Sequence, residues 1–268
     1  MNRRDFLAST AVGAALGAKA SILDAASLHE PGRGNPGRQA TPRILIAGGG
    51  FGTDFIRYMG ALTGQPRPRL CYLPTASADR ESGIIRWYQS CAPLDVEPHH
   101  QNSFISSYRQ DQSWEEVFLS MDGIVVSGGN TLNQQAIWRA QGIDRVLREA
   151  WDRGIVLGGA SAGSLCWFEE GTTDSRPQEL SKIECLGFLP GSHSPHYDAE
   201  AQRRPTYHRL IRTGVLKPGW ACDNDAGILF EGTVATRFVS TRADAMVYYV
   251  DLVDGEVVEE AYTPERID

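Results

Sequence analysis

The sequence predicts an α/β fold: a parallel sheet with helices on both faces, a three-layer sandwich with a β-rich C-terminal edge. Two patterns carry that prediction. Short runs that are apolar throughout alternate with longer amphipathic stretches, and a strand with no polar face must be covered on both sides. After about Pro218 the texture changes to closely spaced β-rich pieces separated by turn formers. With 268 residues, 41% hydrophobic and 22% charged, the chain can fill one substantial core.

Taken in order, residues 43–47 (RILIA) read as a buried strand that ends in Gly48-Gly49-Gly50. A helix over 55–62, a strand over 70–73, a helix over 81–91 and a strand over 94–97 follow. Residues 122–126 form a strand running into Ser127-Gly128-Gly129-Asn130. Consecutive helices over 131–141 and 143–153 lead to a strand at 155–157, and the next helix is expected over 165–170. Residues 191–198 (GSHSPHYD) read as a loop dense in turn formers, and 205–211 as a helix. Strands over 228–231, 234–240, 246–250 and 256–259 close the list, with turns at Gly232-Thr233 and Asp254-Gly255.

The N-terminus reads as an address. Asn2-Arg3-Arg4-Asp5-Phe6-Leu7, an apolar stretch to Gly17 and Ala18-Lys19-Ala20 have the outline of a twin-arginine export signal with its A-x-A cleavage site. Its apolar core is too short to span a bilayer comfortably. The expected organisation is a signal over 1–20, a flexible linker over 21–41 and a single α/β domain over 42–268. The expected location is periplasmic or secreted, with no membrane attachment after signal cleavage. The 26 Lys and Arg against 33 Asp and Glu give a net charge of −7, with no basic run, which argues against nucleic-acid binding. Cys71, Cys91, Cys166, Cys185 and Cys222 form no C-x-x-C pair, which excludes a zinc ribbon and a disulfide miniprotein.

The chemistry is expected where a strand meets a helix. Gly159-Ala160-Ser161-Ala162-Gly163 matches G-x-S-x-G directly after a predicted strand. A sharp turn there projects the Ser161 hydroxyl clear of the backbone, and small flanking residues avoid the neighbouring strand and helix. Gly128, Gly129 and Asn130 end the preceding strand, on the edge of a parallel sheet where ligands bind. Backbone N–H groups of Gly129 and Ala162 could together hold an oxyanion, while Asn130 also suits a helix N-cap. A nucleophilic serine needs a base. Among the six histidines, His193-x-x-His196 with Asp198 invites a metal reading, but no helical H-E-x-x-H frame supports one.

The GGN turn, the G-A-S-A-G elbow and Pro195-His196-Tyr197 followed by Arg-rich helical sequence, in this order, resemble the peptidase E family over roughly residues 43–231. That family comprises serine exopeptidases, among them aspartyl dipeptidases and cyanophycinases, on a class I glutamine amidotransferase-like (flavodoxin-like) fold. The resemblance implies Ser161 as nucleophile and His196 as general base, acting through an acyl-enzyme without metal or organic cofactor. Its implied substrate is a dipeptide or short peptide with N-terminal Asp, or alternatively a β-aspartyl-arginine chain. For the third triad member, Asp174 falls where the family has an acid between nucleophile and histidine. A second family position, usually acidic, falls on Asn224 in Asp223-Asn224-Asp225. An Asn there cannot stabilise an imidazolium as a charge would, so either Asp223 or Asp225 takes that place, or Asp174 serves. Arg204, in Gln202-Arg203-Arg204 with Arg209 beyond, is the candidate for holding a substrate carboxylate, although the family's Arg spacing is not reproduced.

Other classes fit less well. An α/β-hydrolase esterase would place its histidine late, and none follows His208. Glutamine amidotransfer would need a cysteine where Ser161 stands. The Gly48–Gly52 run lacks the sixth-position glycine and the acidic residue of a dinucleotide fingerprint. A non-catalytic binding module on the same fold is the remaining alternative.

Overall fold

The computed structural model describes residues 41–105 and 110–267. The expected export signal, and all but the last residue of the expected linker, lie outside the described residues. The chain runs β1 (Arg43–Ala47), α1 (Thr53–Leu62), β2 (Arg69–Leu73), α2 (Glu81–Cys91), β3 (Glu97–His100), α3 (Trp114–Phe118) and β4 (Gly123–Val126). It continues with α4 (Thr131–Gln141), α5 (Ile143–Asp152), β5 (Val156–Ala160), α6 (Ala162–Leu165), β6 (Phe168–Thr173), β7 (Ser181–Glu184) and β8 (Leu189–Ser194). Then come α7 (Arg203–Arg212), β9 (Gly219–Cys222), β10 (Ala226–Glu231), β11 (Val234–Ser240), β12 (Val247–Val253), β13 (Glu256–Tyr262) and β14 (Glu265–Arg266).

Among the described residues, the main sheet has eight strands in the order β14-β11-β10-β1-β5-β4-β2-β3. Strands β1, β5, β4, β2 and β3 are mutually parallel, and β10 adds antiparallel to β1. The uninterrupted apolarity of β1 now has its cause. Leu45 and Ala47 face Phe55, Ile56 and Met59 of α1 and Trp87 of α2, whereas Ile44 and Ile46 belong to the opposite core with Trp138, Ile143 and Leu147. Each of these side chains is at most 6% exposed, so both faces contribute hydrophobic stabilisation of roughly 25 cal/mol per Å² buried.

The β-rich region begins earlier than expected and forms a second sheet of six described strands, β13-β12-β9-β8-β6-β7. The helix expected over 165–170 is instead one turn, α6, after which β6 starts at Phe168. Packing explains the difference. Trp167 and Phe168 are fully buried, Trp167 beside Trp138 (6.3 Å) and Phe188 (5.5 Å), and Phe168 stacked on His193 (4.8 Å). A continued helix would carry the two rings away from these partners. The expected loop at 191–198 is half strand: β8 pairs Ser192 with Gly219 and His193 with Trp220. A Cβ at Gly219 would lie 2.0 Å from the Ser192 carbonyl oxygen, so the turn formers here serve close strand approach. The strand expected at 94–97 is shifted to β3. No helix among the described residues is long and apolar enough to cross a membrane.

Candidate active site

The turns after β1, β4 and β5 meet at the same edge of the main sheet, as the parallel register requires. Ser161 occupies the β5–α6 turn with φ 59° and ψ −119°, a conformation that L-residues rarely adopt. Its backbone is held on both sides: Ser161 N donates to the Ala47 carbonyl (3.3 Å), and its own carbonyl accepts from Leu165 N (2.9 Å), Ser164 N (3.0 Å) and Ser164 Oγ (2.8 Å). The flanking glycines are required sterically. A Cβ at Gly159 would lie 2.4 Å from the Val126 carbonyl oxygen, and one at Gly163 would lie 2.1 Å from the same atom. The expectation that small residues let the elbow nest against its neighbours is met here.

His196 follows β8 and also has a left-handed backbone, φ 55°. Its N–H donates to the Gly48 carbonyl (3.3 Å), and Tyr197 N donates to the Cys222 carbonyl (3.1 Å), which ties the segment to the ends of β1 and β9. The ring bridges two groups. Nε2 lies 2.8 Å from Ser161 Oγ, and Nδ1 lies 2.7 Å from Asn224 Oδ1. An amide oxygen only accepts, so Nδ1 carries the proton and Nε2 is left to accept from the serine hydroxyl.

Of the positions weighed for the third member, the structure places Asn224 against the histidine. Its backbone is held from behind. Asn224 N donates to Asp198 Oδ1 (2.8 Å), and the Asn224 carbonyl accepts from Arg242 Nη2 (3.0 Å). Arg242 also pairs with the Asp198 carboxylate and approaches Asp225 at 3.5 Å, clamping the two segments that supply His196 and Asn224. Gly49 completes the pair: a Cβ there would lie 2.1 Å from Asn224 Oδ1 and 2.7 Å from His196 Nδ1. The Gly48-Gly49-Gly50 run therefore packs under the histidine, a purpose that the sequence pattern did not reveal.

Asp174 is not brought to His196. Its largely exposed carboxylate lies 3.8 Å from Arg203, which is itself buried and bonded to Glu200 (2.6 Å) and to the Thr172 carbonyl (3.1 Å). Asp223 turns away as well, accepting from Met246 N (2.9 Å), and Asp225 points to Arg242. Burial pushes the Asp223 carboxyl up to about 6, against the Met246 hydrogen bond, with Asp198 nearby adding to the rise. The folded state therefore binds that proton more tightly than the unfolded chain, and stability is lost as pH rises through about 6. Asp223→Asn keeps an acceptor for Met246 N and removes the charge. It is expected to exceed the wild type by about 1–2 kcal/mol in urea unfolding at neutral pH, with the gap closing near pH ~4.

Gly128 lies beside Ser161, where a Cβ would be 3.6 Å from Ser161 Oγ, whereas a Cβ at Gly129 would meet the Ala76 carbonyl oxygen at 2.2 Å. Asn130 acts as the N-cap of α4, its Oδ1 accepting from Asn133 N (2.8 Å), and its Nδ2 donates to the Ser175 carbonyl (3.2 Å). Arg204 does not line the serine's surroundings as expected. Its guanidinium pairs with both oxygens of Glu259 and stacks over Tyr197 (5.2 Å) and Tyr248 (5.0 Å). Burial would raise the Glu259 carboxyl, but hydrogen bonds from Arg204, Tyr197 and His208 hold it below the usual range. The cluster braces Tyr197, the residue after the histidine.

His193 belongs to the core. It is fully buried, with Nδ1 3.1 Å from the Trp220 carbonyl and Nε2 3.0 Å from Ser164 Oγ, and burial lowers its pKa to about 3. His193 and His196 therefore share no centre, and among the described residues no group of three His, Cys, Asp or Glu side chains could hold a metal ion.

Relatives share this arrangement's setting. Residues 44–238 match peptidase family S51. The chain is 40% identical over 222 residues to the uncharacterized peptidase YgaJ of Bacillus subtilis (strain 168), covering 81% of this chain and 94% of that protein. Two crystal structures share the fold at low identity. One is a peptidase from an acI-B1 Actinobacterium (TM-score 0.66, 17% identity, 84% of this chain and 96% of that one). The other is a candidate peptidase E protein from Listeria monocytogenes EGD-e (TM-score 0.54, 16% identity, 84% and 100%). An elbow serine bonded to a histidine, on a fold and sequence shared with these peptidases, has one consistent placement: the chain belongs to peptidase family S51 and is a peptidase.

Proposed function

We propose that the protein is a serine exopeptidase that hydrolyses dipeptides or short peptides with N-terminal Asp through an acyl-enzyme on Ser161. The observation that carries this reading is the continuous hydrogen-bonded line Ser161 Oγ–His196–Asn224, at 2.8 and 2.7 Å. As Ser161 Oγ attacks the scissile carbonyl carbon, its proton passes to His196 Nε2. The carbonyl oxygen becomes an oxyanion beside the N–H groups of Gly129 and Ala162. Collapse breaks the C–N bond, and the proton on Nε2 moves to the departing amine. Water, deprotonated by the same nitrogen, then hydrolyses the ester and restores the serine. Asn224 orients the ring and fixes its tautomer, but brings no charge to the imidazolium. The preference for Asp rests on the likeness to the peptidase E family, and export on the twin-arginine pattern at Arg3-Arg4.

The test is hydrolysis of Asp-Xaa, Glu-Xaa, Ala-Xaa and β-Asp-Arg by the protein beginning at Ser21, with phosphonate labelling located by mass spectrometry. Turnover of Asp-Xaa with the label on Ser161 is expected. Preference for β-Asp-Arg would replace the substrate and keep the chemistry. No turnover and no label would leave a binding module.

A further inference from the structure

A second element reaches the nucleophile from the α1–α2 face of the main sheet. A cleft of about 360 Å³ is lined by Ser161, Gly128, Val126 and Ala160 and by residues of α2, among them Arg86 and Trp87. Three aromatic rings are among its lining, Phe51, Tyr72 and Trp87, with Trp87 stacked on Tyr72 (5.5 Å, 13°). Arg86 is the charged residue of this lining, exposed at the rim one residue before Trp87. Among the described residues no carboxylate pairs with it, whereas Arg203, Arg204 and Arg242 are each committed to at least one. A water-accessible guanidinium beside apolar walls is poorly screened on one side and presents a planar fork suited to a carboxylate. A few well-placed polar groups within an apolar cleft are also how small-molecule sites fix orientation.

We infer that Arg86 is a specificity-determining residue that binds a substrate carboxylate in the cleft adjoining Ser161. This assignment rests on the peptidase reading above. Two parts of a short peptide could supply the carboxylate: the side chain of the acyl residue, or the free C-terminus of the leaving residue. In either case no bond is made or broken at Arg86. It contributes by holding the anion and thereby seating the scissile carbonyl against Ser161 Oγ.

The experiment compares kcat/KM for Asp-Leu, Asn-Leu, Asp-Leu amide and Asn-Leu amide in the wild type, Arg86→Gln and Arg86→Lys. Thermal unfolding midpoints check that these exposed substitutions leave the fold intact. Arg86→Gln is expected to reduce one discrimination ratio by about 10- to 100-fold, with Arg86→Lys intermediate. Collapse of the Asp-Leu to Asn-Leu ratio identifies the acyl side chain. Collapse of the ratio of Asp-Leu to its amide identifies the C-terminal carboxylate. A folded Arg86→Gln variant with both ratios unchanged, even if slower on every substrate, overturns the assignment and leaves the peptidase reading standing. A wild type inert to all four peptides, with Ser161 also unlabelled by phosphonate, defeats the peptidase reading and this assignment with it.

Discussion

Ser161→Ala is expected to lower kcat by on the order of 10⁶, His196→Ala by a similar factor, and the double variant by little more than either alone. The non-additivity follows from the geometry. The hydroxyl 2.8 Å from Nε2 is a nucleophile only while the ring can take its proton, so removing either partner removes the same step. Asn224→Ala should cost less, about 10²-fold, because it deletes a hydrogen bond and not a charge. Steady-state rates on the best peptide of the panel, with phosphonate labelling as a count of competent serines, check all four variants. Equal and additive losses would mean that the line of contacts does not act as a unit.

Gly49→Ala is the second large effect, and it touches no substrate. The new methyl would be placed 2.1 Å from Asn224 Oδ1 and 2.7 Å from His196 Nδ1, far inside contact distance. Either the Asn224 side chain or the ring must move, and both break the bond that fixes the tautomer. A ring displaced by about 1 Å is expected to cost about 10²-fold or more in kcat. The variant should still fold, because the clash falls on side chains and not on the β1 backbone pairing. Circular dichroism and urea midpoints near those of the wild type, together with lost turnover, are the expected result. Turnover within a few fold of the wild type would show that the His196–Asn224 contact is dispensable.

The strands of the main sheet were legible because burial on both faces leaves an unmistakable run: β1 and β4 stand within a residue of their expected bounds. The second sheet was legible only at β12 and β13, which fall where strands are expected over 246–250 and 256–259. Its strands β7, β8 and β9 carry Ser, Lys, Gly and His at positions that pair closely or bond internally, as His193 does between Trp220 and Ser164. Such residues read as turns in one dimension. At the site, Ser161 and His196 follow from the elbow and the family likeness, because their spacing is local or motif-bound. Asn224 was visible only as one of two family positions, since nothing in the sequence says which side of the imidazole a distant residue will meet. Arg242 had no signal, and Gly49 showed only as part of a glycine run at a strand end. They act by packing behind other residues, 46 positions after His196 in one case and on a different strand end in the other.

The left-handed backbone at Ser161 and His196 has a consequence for how the sequence can change. Glycine would occupy φ 59° and φ 55° without the steric penalty that a side chain suffers there. The two positions to which we assign the chemistry are thus positions where a loss-of-function substitution relieves the backbone. A lineage released from selection for turnover could gain robustness by giving up its serine or its histidine. The surrounding scaffold would persist, and an inert descendant would outlast its active parent on heating.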